Sequence, residues 1–397
     1  DSDYAPEANF DGGSSTISCI ALIMGTGADV VMSSDVTTIT GSSGGAAFRL
    51  DTQTAYNTYS NGTGTVKFTS ASDQLLYSGG LSANDFTQFH HLILEKTSST
   101  LQGLSTVGFH IKVGGDLTIT SGILNTNTTS APPVDHDLTV TGSTGGAGTL
   151  TLNNSTYTSS GGHLSMDGGT LTIGTSGVIT GVDQLGEGGG SKSTITCTGS
   201  PTLGCKRWRQ LQTHWTPATS TLKVEDGSYD FQNASSYAIP YNFEVDNAGN
   251  TNELNGGFTV TNNLTITAGT LDTSSSDYAL TVTGYADVTG TLTLNNSAVL
   301  VGALRANSGA AITQGSSGTL GIVTGYTWGD NYNFKNNDGT SDINLGGTLT
   351  LSAGTYFQGR TAPVYASVIN NVVQNGGGYW VDKPTFQGTL VINAGKS

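Results

Sequence analysis

The octapeptide GTLTLNNS occurs twice, at 148–155 and at 290–297, and this duplication constrains the fold more than any other feature of the sequence. It lies within a longer correspondence. Ile111, Val113, Leu117 and Ile119 line up with Phe258, Val260, Leu264 and Ile266 at an offset of 147 residues, and SGILNT at 121–126 answers AGTLDT at 268–273. After a five-residue insertion near Ala131 to Asp135 the offset becomes 142, and LTVTG at 138–142 matches LTVTG at 280–284. A truncated echo, GGTLTLSAGTY, follows at 346–356. The blocks keep their order, which chance composition does not explain.

Within each copy, apolar residues alternate with Thr or Ser over short stretches such as DLTIT at 116–120, DLTVT at 137–141 and TLTI at 170–173. Period two marks strands with one buried face. Gly, Asn, Asp and Ser clusters separate these stretches, and no 3.6-residue apolar period is sustained. The sequence therefore predicts an all-β chain with almost no helix, the one exception being a turn around Lys206 to Gln212. Duplicated arrays of short strands describe a solenoid, whose coils bury their apolar faces only by stacking. The expected fold is a parallel β-helix, or β-solenoid, with two duplicated copies and an aromatic capping tail. Coils of roughly 20–25 residues would rise ~4.8 Å each. Outward Thr would stack in ladders, and the Asn153, Asn154 and Asn295, Asn296 pairs would turn corners, where Asn tolerates left-handed geometry. A string of immunoglobulin-like sandwiches is the rival all-β reading. Against it stand apolar blocks of only three or four residues and no Trp between paired cysteines.

The boundaries read as an irregular N-terminal cap region at 1–80, solenoid copy 1 at 81–185, a Gly-rich hinge and Cys/Trp insert at 186–220, solenoid copy 2 at 221–325 and an aromatic C-terminal tail or cap at 326–397. Length alone allows two or three domains. Glycine supplies 57 of 397 residues and charged residues only 11%, against usual shares of roughly 7% and 25%. The net charge of −15, with few cations outside Lys206, Arg207 and Arg209, argues against a phosphate-tracking nucleic-acid surface. The longest apolar run, ISCIALIM at 17–24, is far too short for a membrane span, so no membrane insertion is expected. The start at Asp1 without an initiator Met is read as a mature secreted chain, hence an extracellular, cell-surface or virion-surface location.

Three cysteines are present. Cys197 and Cys205 bracket CTGSPTLGC and are expected to pair as a disulfide in an oxidising compartment. Cys19 is left over, either as a small buried hydrophobe or as an intersubunit bridge. The insert is the one basic aromatic cluster in an acidic chain: Arg207, Trp208, Arg209 and Trp215, beside Lys206, form a candidate contact surface together with Trp328 and Trp380 of the tail. Such a cluster can dock on an acidic flank, stack on a sugar ring, or simply pack locally. Sequons make Asn61, Asn127, Asn153, Asn154, Asn233, Asn263 and Asn295 candidate glycosylation sites, in number no greater than this composition gives by chance.

The search for chemistry yields little. Asp135, His136 and Asp137 are the nearest approach to an acid/base or metal group, but copy 2 has only Asp277 and Tyr278 near the equivalent place, and a solvated turn is the simpler reading. His90 and His91 precede the strand LILE and alternate faces, so at most one can point inward, and a structural role is expected over metal binding. Nucleophile-elbow, P-loop, zinc-protease and EF-hand patterns are absent. No catalytic residue, metal ligand or cofactor is therefore assigned; Asp and Asn oxygens leave Ca2+ permissible without a motif to hold it.

Blocks such as FHHLILEKT, GGDLTITSGIL, LTVTG and GTLTLNN resemble the low-complexity β-solenoid repeats of large secreted microbial surface proteins, including adhesins, sheath or filament subunits and viral fibres. The resemblance covers about 81–185 and 221–355, is rhythmic and compositional, and carries over no catalytic residue. It implies a structural or adhesive extracellular role. The expectation is a non-enzymatic subunit that partners itself in a filament, sheath or surface layer. The alternatives are a glycan-binding adhesin or virion fibre, and a carbohydrate-active β-helix enzyme.

Overall fold

A computed structural model describes residues 8–24, 28–43, 46–50, 59–78, 88–103, 111–128, 137–186, 193–210, 214–225, 232–233, 240–323, 334–336, 342–351, 356–358, 368–375, 379–381, 385–386 and 390–393. Those residues contain no helix and fold as a parallel β-solenoid. Among the described residues every pairing between the named strands is parallel, which removes the antiparallel sandwich alternative. The chain divides into two compact units, residues 1–203 with 212–218 and residues 204–211 with 219–397. The turn expected around Lys206 to Gln212 is instead strand over its described part, within Thr202–Gln210.

In the first unit the alternation seen in sequence becomes an inward column. Leu101, Leu124, Leu150, Leu171, Ile195 and Trp215 stand opposite one another in successive coils. All six are buried. Burying a leucine-sized side chain is worth about 1.5–3 kcal/mol, so each added coil stabilises the one beneath it. The alternate residues face outward in ladders, Thr149–Thr170–Thr194 on one column and Thr151–Thr172–Thr196–Thr216 on the next. In the second unit Leu271, Leu292, Ile312 and Ile343 form the equivalent kind of buried column.

Coil length varies more than the sequence rhythm suggests. Paired residues are separated by as few as 17 positions, Ile369 to Phe386, and as many as 31, Ile312 to Ile343. Strand register tolerates this because the corners absorb extra residues without shifting the inward set. Two corner devices recur at the duplicated positions. Gly122 and Gly269 bend their strands at φ of 85° and 78°, where added Cβ atoms would lie 2.7 Å from Lys96 Cβ and 2.1 Å from the Asn247 carbonyl oxygen. Asn153 and Asn295 adopt φ of 47° and 45°, in keeping with the predicted left-handed corners.

The expected disulfide is not formed: Cys197 and Cys205 are both buried and are not bridged. Cys197 ends the inward alternation of Thr194–Cys197, and Cys205 belongs to the following strand, Thr202–Gln210. Consecutive strands of a parallel coil run on around the perimeter instead of doubling back. Closeness in sequence therefore does not bring the two sulfurs together as it would in a hairpin.

Candidate functional site

The coil walls use their few charges to tie one coil to the next. Lys223 Nζ lies 3.4 Å from Glu244 Oε1 and 2.9 Å from Asp246 Oδ2. Loss of solvation lowers the Lys223 pKa, but Asp246 and Glu244 outweigh it and hold the ammonium above its ordinary value. Arg305 forks onto Asp287, its Nε donating to Oδ1 at 3.0 Å, and Asn307 Nδ2 donates to the same carboxylate oxygen at 2.5 Å. Lys67 and Glu95 form a third inter-coil pair. Exposed pairs of this kind contribute at most ~1 kcal/mol each, so their main effect is to fix register.

The corners hold stronger contacts. At the repeated positions, Asn153 Nδ2 donates to Asn125 Oδ1 at 2.7 Å, and Asn295 Nδ2 donates to Asp272 Oδ1 at 2.5 Å. Behind them, Thr126 and Ser155 share a hydroxyl hydrogen bond of 2.8 Å, matched by Ser297 to Thr273 at 2.8 Å. Lys96 occupies a different corner and is fully buried. Its ammonium donates to the carbonyls of Ser70 and Ser72, at 3.0 and 2.9 Å, and to Gln74 Oε1 at 2.7 Å. Burial lowers its pKa to about 8, with nearby Asp73 opposing the shift. The signal for this site was present in the sequence: Lys96 has the parity of Leu92 and Leu94, so the strand turns it inward.

The residues singled out from sequence fall into several settings. Trp208 and Trp215 are buried, Lys206 and Arg207 half-buried. Arg209 is a strand residue opposite Gln232. Trp380 stands opposite Phe357 in the strand Tyr379–Val381, while Trp328 lies outside the described residues. The two buried indoles fill coils, which is the packing alternative for this cluster. Asp135 and His136 also lie outside the described residues, and Asp137 Oδ1 accepts the Thr156 backbone N–H at 2.8 Å. His91 Nδ1 accepts the Asp116 backbone N–H at 2.9 Å, and His90 packs against His91 with ring centroids 4.5 Å apart. Among the described residues no three His, Cys, Asp or Glu side chains are grouped to hold a metal ion.

The sequons differ in what they offer. Asn154 is exposed, Asn61, Asn127 and Asn263 are half-buried, and Asn233 lies in the short strand Gln232–Asn233. Asn153 and Asn295 are half-buried and already use Nδ2, the atom a glycan would occupy, inside the corner. In a glycosylating host, the folded secreted fraction is expected to carry no glycan on Asn153 or Asn295. Peptide mass mapping with and without glycosidase checks this, and sugar at either position in folded material would contradict the corner geometry.

Among the described residues, Ala8–Asp11, Ile17–Cys19 and Leu22–Met24 each pair on one side alone, with Ala28–Val31, Val36–Ile39 and Phe48–Leu50 respectively. Ile20 is 67% exposed and Ile23 44% exposed. Cys19 is half-buried there, and burial pushes its thiol pKa up. The chain thus belongs to the structural class of parallel β-solenoids. No family model, no curated protein and no solved structure matches it.

Proposed function

We propose that this chain is a non-enzymatic structural subunit of an extracellular assembly, a filament, sheath or surface layer built by self-association of solenoid subunits. The observation that carries the reading is the exposed pair Ile20 and Ile23, two large aliphatic side chains in or beside strands that pair on one side alone among the described residues. A flat parallel edge without protection is a template for further strands. The walls support the same role. Their charges and threonines are spent on ladders and coil-to-coil pairs, an arrangement that holds each coil on the next.

The adhesin reading draws on aromatic side chains displayed on the flank, and two of its candidates, Trp208 and Trp215, are buried. The assembly reading is therefore preferred. Negative-stain electron microscopy and sedimentation of the purified chain over a concentration series test it. Ordered fibres, tubes or sheets are the expected result; monodisperse particles at the highest concentration would overturn it.

A further inference from the structure

A regular two-dimensional array of hydroxyls lies on one wall of the first unit. Thr149–Leu150–Thr151 pairs residue for residue with Thr170–Leu171–Thr172, and that stretch with Thr194–Ile195–Thr196, with no bulge between them. Leu150, Leu171 and Ile195 point inward and are buried, so the six threonines stand outward, half-buried, as a grid of two columns across three coils. We infer that this grid is an ice-binding face, whose ligand is the ordered water of an ice prism plane.

Spacing carries the inference. Parallel strands of neighbouring coils lie ~4.8 Å apart, and residues two apart along a strand ~6.6 Å. Threonine is stiff at χ1, so threonines repeated in one backbone setting hold their hydroxyls at the backbone spacing. Water in ice is tetrahedral with neighbouring oxygens ~2.75 Å apart, which sets second neighbours ~4.5 Å apart and repeats the lattice along its hexagonal axis every ~7.3 Å. A prism plane carries these two repeats at right angles, as the wall carries its own. The misfit is ~0.3 Å per coil and ~0.7 Å along the strand, so it stays below ~1 Å over the whole grid.

The hydroxyls are available to such a lattice. Among the described residues none of the six is hydrogen-bonded to another protein group, whereas the Thr126 hydroxyl at the nearby corner is taken up by Leu152 and Ser155. Each free hydroxyl can donate one hydrogen bond and accept two.

Charge agrees with the same partner. The chain carries a net charge of −15, yet the grid holds no charged residue. Ice is a neutral lattice that rejects ions, and a charged side chain pressed against it loses hydration that the lattice does not replace. Elsewhere the outward columns do carry charge, as at Lys223–Glu244 and Asp287–Arg305. The duplicated wall of the second unit is interrupted in the same way: Asp272 stands beside Thr293 in one column, and Ala311 beside Thr291 in the other. The two copies share strands, and the first alone keeps an unbroken grid among the described residues.

The test grows ice slowly from a dilute solution of the purified chain and measures the protein taken into the ice against that left in the liquid. Wild type is compared with T170K/T172K, in the middle of the grid, and with T156K/T158K. Thr156 and Thr158 face outward in the strand Thr156–Ser159, which belongs to another column of strands, so the second variant controls for added charge. Circular dichroism and urea midpoints establish that both variants fold. Several-fold enrichment of wild type and T156K/T158K in the ice, relative to serum albumin, with T170K/T172K excluded, is the expected result. Exclusion of wild type would overturn the inference, and so would equal enrichment of T170K/T172K. A second readout needs no variant: fluorescently labelled wild type on a single ice crystal should mark the prism faces, and label confined to the basal plane would contradict the lattice match. Failure in either assay leaves the assembly reading standing, since that reading makes no use of the grid's hydroxyls.

Discussion

The variant K96M is expected to lower the unfolding free energy by about 2–4 kcal/mol, read as a reduced urea midpoint at unchanged slope. The ammonium of Lys96 satisfies three oxygens at a buried corner: the Ser70 and Ser72 carbonyls and Gln74 Oε1. Methionine matches the aliphatic stem but donates nothing. The Ser70 carbonyl retains the hydroxyl of Ser99 at 2.9 Å, whereas the Ser72 carbonyl and Gln74 Oε1 lose the ammonium. A buried acceptor left unmatched costs ~1–3 kcal/mol. The variant regains part of this because it no longer desolvates a charge. A gain in stability on K96M would mean that the desolvation cost exceeds the three hydrogen bonds.

The same residue predicts a pH dependence with a definite sign. In the folded chain Lys96 titrates at about 8, against an ordinary value of 10.5. Between these values the unfolded chain holds a proton that the folded chain has released, so stability rises with pH through that window. The slope approaches ~1.4 kcal/mol per pH unit at most for one group. Tyr157 opposes this further up. Burial raises its phenol to about 12 from 10, against hydrogen bonds from Thr144 and Ser159. Above pH 10 the unfolded chain gives up the tyrosyl proton first and stability falls. Stability measured by urea titration should therefore climb from pH 8 and turn over above 10. K96M should abolish the climb and Y157F the descent.

These expectations mark how far the sequence can be read. Strand phase was legible because period two survives insertion: Leu150 and Leu152, or Leu292 and Leu294, are buried as their alternation requires. Corner content was not. Gly122 bends over Lys96 and Gly269 over Asn247, so duplicated backbone turns rest on different buried polar groups. Repetition reports the turn and not what fills it. The cysteine pair was misread for a related reason, since spacing along the chain implies proximity only where the chain reverses. The apolar run Ile17–Met24, read from sequence as too short to span a membrane, holds the strands Ile17–Cys19 and Leu22–Met24, and of the two residues between them Ile20 is 67% exposed. Apolar composition alone does not say which side chains the fold covers.

Gln314 shows the same blindness to corner chemistry and gives the second large effect. It shares the parity of Ile312, so the strand Ala311–Gln314 turns it inward, opposite Leu345 and beside Leu294 of the preceding coil. Its side chain is buried, 7% exposed, and neither amide atom has a hydrogen-bond partner among the described residues. An unsatisfied buried amide costs ~1–3 kcal/mol, and a leucine of similar volume would extend the Leu294–Leu345 column without that cost. Q314L is therefore expected to raise the urea midpoint by an equivalent of ~1–3 kcal/mol, with no change in slope. Q314E should do the reverse, because a carboxylate there is both unpaired and desolvated. A destabilised Q314L would show that a water molecule or a polar group of another subunit normally satisfies the amide. Repeating the measurement in the assembled state separates those two causes, since only the second makes the loss larger on assembly.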